Sequence, residues 1–180
     1  MNHHAESHKL FHSFCVSPST KFEGQNDSEV VILRLRAHPI TQLYWVVNTS
    51  VLALTVILLN FLVPNFLEIN QIIFFNLFAV GIVFAYFWFN LIGWFFNVGI
   101  ITNQRIIDID LSSVLYKEVT TALLKKVEDV TSRSGGFFSA VFDYGNIFVQ
   151  TAGTEANVEF INIPKPSEAV KIINELLSKG

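Results

Sequence analysis

Five side chains near the start of the chain have the chemistry of metal ligands: His3, His4, His8, His12 and Cys15. His4, His8 and His12 repeat at i, i+4 and i+8, so a helix would align their imidazoles for Zn or Cu. Their neighbours are mostly polar, however, and nothing nearby would hold such a helix in place. The expectation is a disordered tail over residues 1–28 with no metal site. Asp108 and Asp110 are a second candidate, two acids on one face of a strand. General acid–base work needs a cleft and convergent partners. No histidine follows His38, so solvent-facing acids are expected. The sequence contains no P-loop, nucleophile elbow, zinc-ligand array or dinucleotide fingerprint. It offers no catalytic residue and no cofactor site, and a non-enzymatic chain is expected.

Binding chemistry is the next class. A polyphosphate headgroup pocket needs several Lys and Arg converging on one hairpin, where charge-assisted bonds capture phosphate. The candidates are Arg105, Lys125, Lys126 and Arg133, with Lys117 nearby, and they are scattered. From Asn97 onward there are 8 basic and 10 acidic residues, a net of −2. Tight polyphosphate capture is disfavoured; loose contact with anionic lipid stays open, at about 1 kcal/mol per cation close to the surface. Phe137, Phe138, Val141 and Phe142 recur at near-helical spacing. Plugging one end of a sheet is the first expectation for them, and contact with a membrane interface or a protein partner is the other. With formal net charge −3 over the chain, no basic field points to nucleic acid.

The elements that must carry these groups follow from composition. The chain is 51% hydrophobic, holds 18 phenylalanines and has a mean hydropathy of +0.45. Between Arg36 and Arg105 the sole charged residue is Glu68, unless His38 protonates. Leu43 to Leu62 gives 20 uncharged residues and Ile72 to Phe95 gives 24. About 20 apolar residues cross roughly 30 Å of hydrocarbon, so each run is long enough to span. Pro64 to Gln71 reads as the turn between them. All 12 Lys and Arg lie outside that turn, so the positive-inside bias expects both termini in the cytoplasm. Tyr44, Trp45, Trp94, Phe95 and Phe96 form an aromatic belt at that interface. Asn60, Asn76 and the other polar residues of the spans suit helix-to-helix hydrogen bonds, with Gly81 and Ala85 as a small-x-x-x-small contact. A polar transport path, resting on Asn48, Asn60, Asn76 and Asn90, is the alternative; no acid or base lies in either span to relay an ion. One cysteine excludes an intrachain disulfide, and the polar first 28 residues do not resemble a secretory signal peptide.

After Phe96 the pattern becomes short β-type runs broken by turn residues. Strands are predicted at Val98–Thr102, Arg105–Asp110, Val114–Val119, Val127–Thr131, Asn146–Thr151 and Asn157–Ile163. In the second, Ile107, Ile109 and Leu111 alternate with Ile106, Asp108 and Asp110, as in a half-buried strand. Leu123 to Lys126 suits a helical turn, and Ala152-Gly153-Thr154 a tight one. Ala169, Val170, Ile172, Ile173, Leu176 and Leu177 make the apolar stripe of a final helix, with Ser167 as N-cap or Pro166 as its first residue. Glu29 to Arg36 reads either as a strand that joins this sheet from before the spans or as a short amphipathic lead-in; the strand is preferred. The division is therefore a tail at 1–28, a pre-membrane strand within 29–38, spans at 41–63 and 72–96 joined by a loop at 64–71, and a cytoplasmic domain at 97–180.

The order of these elements and several short words resemble the bacterial pleckstrin-homology-like family of membrane-flanked proteins. The words are Leu35-Arg36-Ala37-His38-Pro39, Ile101-Thr102-Asn103-Gln104-Arg105-Ile106-Ile107-Asp108, Val127-Glu128-Asp129-Val130, Tyr144-Gly145-Asn146-Ile147, Thr151-Ala152-Gly153 and Asn162-Ile163-Pro164. The resemblance covers about residues 29–177. It implies an α+β membrane protein: a two-helix transmembrane hairpin plus a small antiparallel pleckstrin-homology-like domain, capped by a C-terminal helix, at the bacterial inner membrane. It implies no reaction. The reading that follows is a membrane-anchored binding or adaptor module that meets a protein partner or another copy of itself, the alternative being an anionic-lipid-binding module. Arg105, Lys125, Lys126, Arg133, Phe137, Phe138, Val141 and Phe142 are its candidate contact residues.

Overall fold

A computed structural model describes residues 12–18, 21–22, 24–62, 64, 66–113, 116–152 and 157–178. His3, His4 and His8 of the metal-ligand candidate lie outside these residues, as do Asn65, Val114, Gly153 and Thr154 of the expected loop, strand and turn.

The chain forms β1 (Phe14–Val16), β2 (Val31–Leu35), α1 (Leu43–Leu62), α2 (Ile69–Phe96), β3 (Val98–Thr102), β4 (Arg105–Ser113), β5 (Tyr116–Leu123), β6 (Val127–Arg133), α3 (Phe137–Phe142), β7 (Tyr144–Thr151), β8 (Val158–Pro164) and α4 (Pro166–Leu177). Single 3₁₀ turns precede α1 at Pro39–Gln42 and join β5 to β6 at Leu124–Lys126. Two antiparallel sheets result, ordered β1-β2-β3-β4-β5 and β6-β7-β8.

The core lies between the sheets and under α4. Leu33, Leu35, Ile101, Ile106 and Ala122 come from the first sheet; Val130, Ile147, Val149, Val158, Phe160 and Ile163 come from the second; Ala169 and Ile173 come from α4. Full burial of one such aliphatic side chain stabilises by about 1.5–3 kcal/mol, so the period-2 and period-3.6 stripes decide which faces meet. Pro166 begins α4 at its first turn, where its missing N–H costs nothing.

The first sheet departs from the expected half-buried pattern. Ile106 and Ile107 are both buried, because the outer face carries its own small cluster of Val31, Ile100 and Ile107 under Phe22. Phe22 belongs to the segment expected to be a disordered tail through residue 28. That segment instead adds β1, whose Cys15 opposes Arg34, and covers the sheet. Three β-forming residues beside an open edge gain ladder hydrogen bonds that the isolated tail lacks.

Strand β2 pairs with β3, Leu35 opposite Gly99. The segment that precedes the apolar helices and the one that follows them are thus neighbours in one sheet, and the helical hairpin is an insertion between them. Neither α1 nor α2 has a buried residue. They meet through Trp45 edge-on to Phe87 and through reciprocal amide bonds, each 2.7 Å, between Asn60 and Asn76. The close approach expected at Gly81 is absent, since a methyl group there would meet nothing within 4 Å; Gly81 and Ala85 line a shallow groove formed wholly by α2 residues, including Phe74 and Phe78. Helix α2 also starts earlier than the expected loop end, at Ile69, because the Glu68 N–H bonds Gln71 Oε1 at 3.0 Å, as in a capping box.

Candidate functional site

The strand directions give the domain two ends. Strand β2 runs toward the hairpin and β3 runs away from it, so Leu35, Gly99 and Asp108 mark the helix-bearing end, while Val31, Thr102 and Arg105 mark the far end. Contacts tie the second sheet to the same frame. At the far end Leu124 N donates to Gln104 O, and Ala152 N donates to Lys126 O. At the helix-bearing end His38 N donates to Asn162 O at 2.7 Å, and the His38 ring stacks on Tyr144 at 5.8 Å between centroids.

At the far end Arg105 is a structural residue rather than an available cation. Its Nε and Nη2 bond the two carboxylate oxygens of Glu29 at 2.9 and 3.0 Å, and Nη2 also reaches Gly24 O at 2.7 Å. Glu29 Oε1 further accepts from Thr102 Oγ1, and Oε2 from Asn26 N. Burial alone would raise the Glu29 pKa, but Arg105, Thr102 and the Asn26 N–H hold it below the ordinary carboxylate range. Asn103 and Gln104 continue the latch through Val30 N, Ser28 O and Ser28 Oγ. The Thr102-Asn103-Gln104-Arg105 word is therefore a clasp on residues 24–30. Sequence spacing gave no sign of Glu29 as its partner. Lys125 and Lys126 lie on the 3₁₀ turn at this same end.

Arg133 lies at the opposite end of β6, its guanidinium 5.0 Å from the Phe148 ring centroid. The four candidate cations are thus divided, three far from the hairpin and one near it, and form no common pocket.

Next to Arg133, α3 begins after Gly136, whose φ of 93° needs the freedom of glycine, and ends at Asp143 in the left-handed region. Ser139 is its buried residue, and its hydroxyl donates to the Tyr144 carbonyl. The apolar side chains face out. Phe137 is 77% exposed, Phe138 66%, Val141 57% and Phe142 40%. The expectation that they plug the sheet as core residues fails, because Ser139 occupies the inward face and the core is already filled by Ile147, Ile163 and α4.

The joint between hairpin and domain is bonded on both strands. Trp94 Nε1 donates to Ala37 O at 3.0 Å, Leu111 N to Asn97 Oδ1 at 2.6 Å, and the Arg36 guanidinium lies 4.7 Å from the Phe95 ring centroid. His38 Nδ1 accepts from Ile40 N at 3.1 Å, capping the turn into α1. Burial lowers the His38 pKa, partly opposed by Asp143. A cleft of about 530 Å³ opens beside this joint, lined by Gln42, Trp45, Asn90, Trp94, Asn97 and Leu111 among others.

Asp108 is not the solvent-facing acid expected from its strand. It is half-buried between Gly99 and Thr120. Its pKa is pushed up to about 7 by burial first, then by Asp110 and Glu118. No group of three His, Cys, Asp or Glu able to hold a metal occurs among the described residues.

The family of bacterial PH domains matches this chain over residues 43–177. The chain belongs to that family. The match takes in α1, α2 and every element from β3 to α4, while β1 and β2 of the first sheet precede it. Among solved structures, a protein with a pleckstrin-homology domain from Shewanella loihica PV-4 overlays 46% of this chain and 68% of its own at 17% identity, with a TM-score of 0.33. No curated protein matches.

Proposed function

We propose that the chain is a two-span bacterial inner-membrane protein that displays its PH-like domain at the cytoplasmic face as a non-catalytic binding module for a protein partner or a second copy of itself. One observation carries this reading: two long, apolar helices without a buried residue rise from adjacent strands β2 and β3 of the domain's own sheet. Exposed apolar surface of that extent favours a bilayer, and an insertion between neighbouring strands returns the chain to its starting side. The recognition surface best suited to a partner is the β5 edge of the first sheet. Val119 and Leu123 are exposed there, Lys125 and Lys126 follow directly, and an edge strand presents unpaired main-chain groups for strand addition. The alternative, an anionic-lipid module, draws little support from the placement of the cations. Arg105 is bound to Glu29, and Lys125 and Lys126 lie at the end remote from the helices.

The test uses the full chain in cells. With Cys15→Ser as background, Glu68→Cys should react with an impermeant maleimide from the periplasmic side and Ser178→Cys should not. Photo-cross-linkers at Val119 and Leu123 should trap a discrete protein product, and one at Lys171 on α4 should not. Reaction of both cysteines from outside would end the two-span reading; absence of any product at β5 would end the partner reading.

A further inference from the structure

We propose that α3 rests in the headgroup layer of the same leaflet from which the hairpin emerges, so that the domain is held to the membrane at two points. This deepens the two-span reading and rests on it. The placement comes from contacts. Tyr144, two residues after α3, stacks on His38, and His38 caps the turn that leads directly into α1. Lys165 N bonds the carbonyl of Asp143, the residue that ends α3, at 2.8 Å, fixing the loop at the helix-bearing end. The last turn of α3 therefore lies beside the start of the hairpin, near the level of Trp45 and Trp94.

Its chemistry suits that layer. Residues 134–142 carry no charge, so burial in the interface removes no ion from water. The four exposed apolar side chains share one face of the helix, and the opposite face is fixed inward by Ser139. Phe137 and Phe138 meet edge to face at 5.8 Å, a bulky aromatic pair of the kind that favours the zone between water and hydrocarbon. Arg133 follows at the rim, where its guanidinium can meet phosphate. A bilayer is the occupant because α3 lies at the end of the domain from which the two exposed apolar helices leave; the β5 edge, where a protein is proposed to dock, belongs to the other sheet.

The experiment uses the full chain with Cys15→Ser, reconstituted in nanodiscs of neutral phosphatidylcholine with or without brominated acyl chains. An environment-sensitive dye is attached in turn to Phe138→Cys, Val141→Cys, Leu52→Cys in α1 and Leu123→Cys at the far end. The expected result is blue-shifted emission at positions 138 and 141 that loses most of its intensity with brominated lipid, a still larger loss at 52, and none at 123. The signal should persist in high salt, because apolar insertion is not screened. Water-like emission at 138 and 141 while 52 is quenched would overturn the proposal and leave the two-span reading standing. Blue-shifted emission without quenching would mean that protein covers α3, and would also overturn it. Failure of quenching at 52 would remove both.

Discussion

The two ends of the PH-like domain use their conspicuous residues in opposite ways. At the far end the charged and amide side chains turn on one another: Glu29, Thr102, Asn103, Gln104 and Arg105 spend their hydrogen bonds closing residues 24–30 over the first sheet. At the helix-bearing end the residues without charge face outward, with Phe137, Phe138 and Val141 mostly exposed beside a joint bonded by Trp94 and His38. A cation in a binding-type fold invites assignment as a ligand contact, yet here the most suggestive one is internal. The apolar face, first expected to be core, is the surface left open. What separates the two cases is whether a side chain's bonding capacity is already met within the fold.

The sharpest way to break this contrast is to remove Glu29. Its side chain is fully buried, while Arg105 keeps 25% of its surface exposed. Glu29→Ala leaves Arg105 and Thr102 without their shared acceptor and unclasps the segment that covers Ile107. A cost of about 3 kcal/mol is expected, at the lower end for breaking a buried pair because Arg105 can partly rehydrate. Thermal unfolding of the domain in nanodiscs checks this. Since the folded pKa of Glu29 lies below its ordinary value, its contribution is present above about pH 4.5 and is lost as pH falls through the folded value. The gap between the wild-type and variant melting temperatures should therefore narrow in acid. A Glu29→Ala protein as stable as wild type at pH 7 would return Arg105 to the list of available cations.

Much of this was legible before any coordinate. The run from Ala37 to Gln104, with Glu68 as its sole charge, announced the hairpin, and the alternation at Val31, Leu33 and Leu35 announced the strand that precedes it. The stripe from Ala169 to Leu177 announced α4. These signals are periodic and local. What stayed hidden depends on pairing across long separations. Glu29 and Arg105 are 76 residues apart with the hairpin between them, and no spacing rule connects them. Phe14 to Val16 is a strand only because β2 offers an edge. The outward turn of α3 depends on one buried hydroxyl, Ser139, in a hexapeptide whose apolar content alone suggested burial.

At the helix-bearing end Asp108 shares a strand face with the core residue Ile106. Burial, Asp110 and Glu118 raise its pKa to about 7, against 3.8 for the unfolded chain. The ionised form is the disfavoured one, so it subtracts from stability in full above pH 7. The penalty shrinks as pH falls from 7 toward 4 and is gone below the unfolded value. Asp108→Asn should therefore raise the melting temperature at pH 8, by an amount that diminishes steadily down to pH 4. A gain that is equal at both pH values would mean that the acid cluster exerts no titratable strain on the domain.

The smallest effect sharpens the contrast at the far end. Lys125 and Lys126 are on an exposed turn, and reversing both, as Lys125→Glu with Lys126→Glu, should cost far less stability than Glu29→Ala, because neither side chain is buried. Because that turn lies at the end away from the hairpin, the double variant should also leave the lipid quenching of a dye at position 138 unchanged, even in discs rich in anionic lipid. The protein product cross-linked from Leu123 should weaken, since the reversed charges adjoin the β5 edge. Reduced quenching at 138 with an intact cross-link would reverse the assignment, placing these lysines on the lipid side of the molecule and the β5 edge on the side that meets nothing.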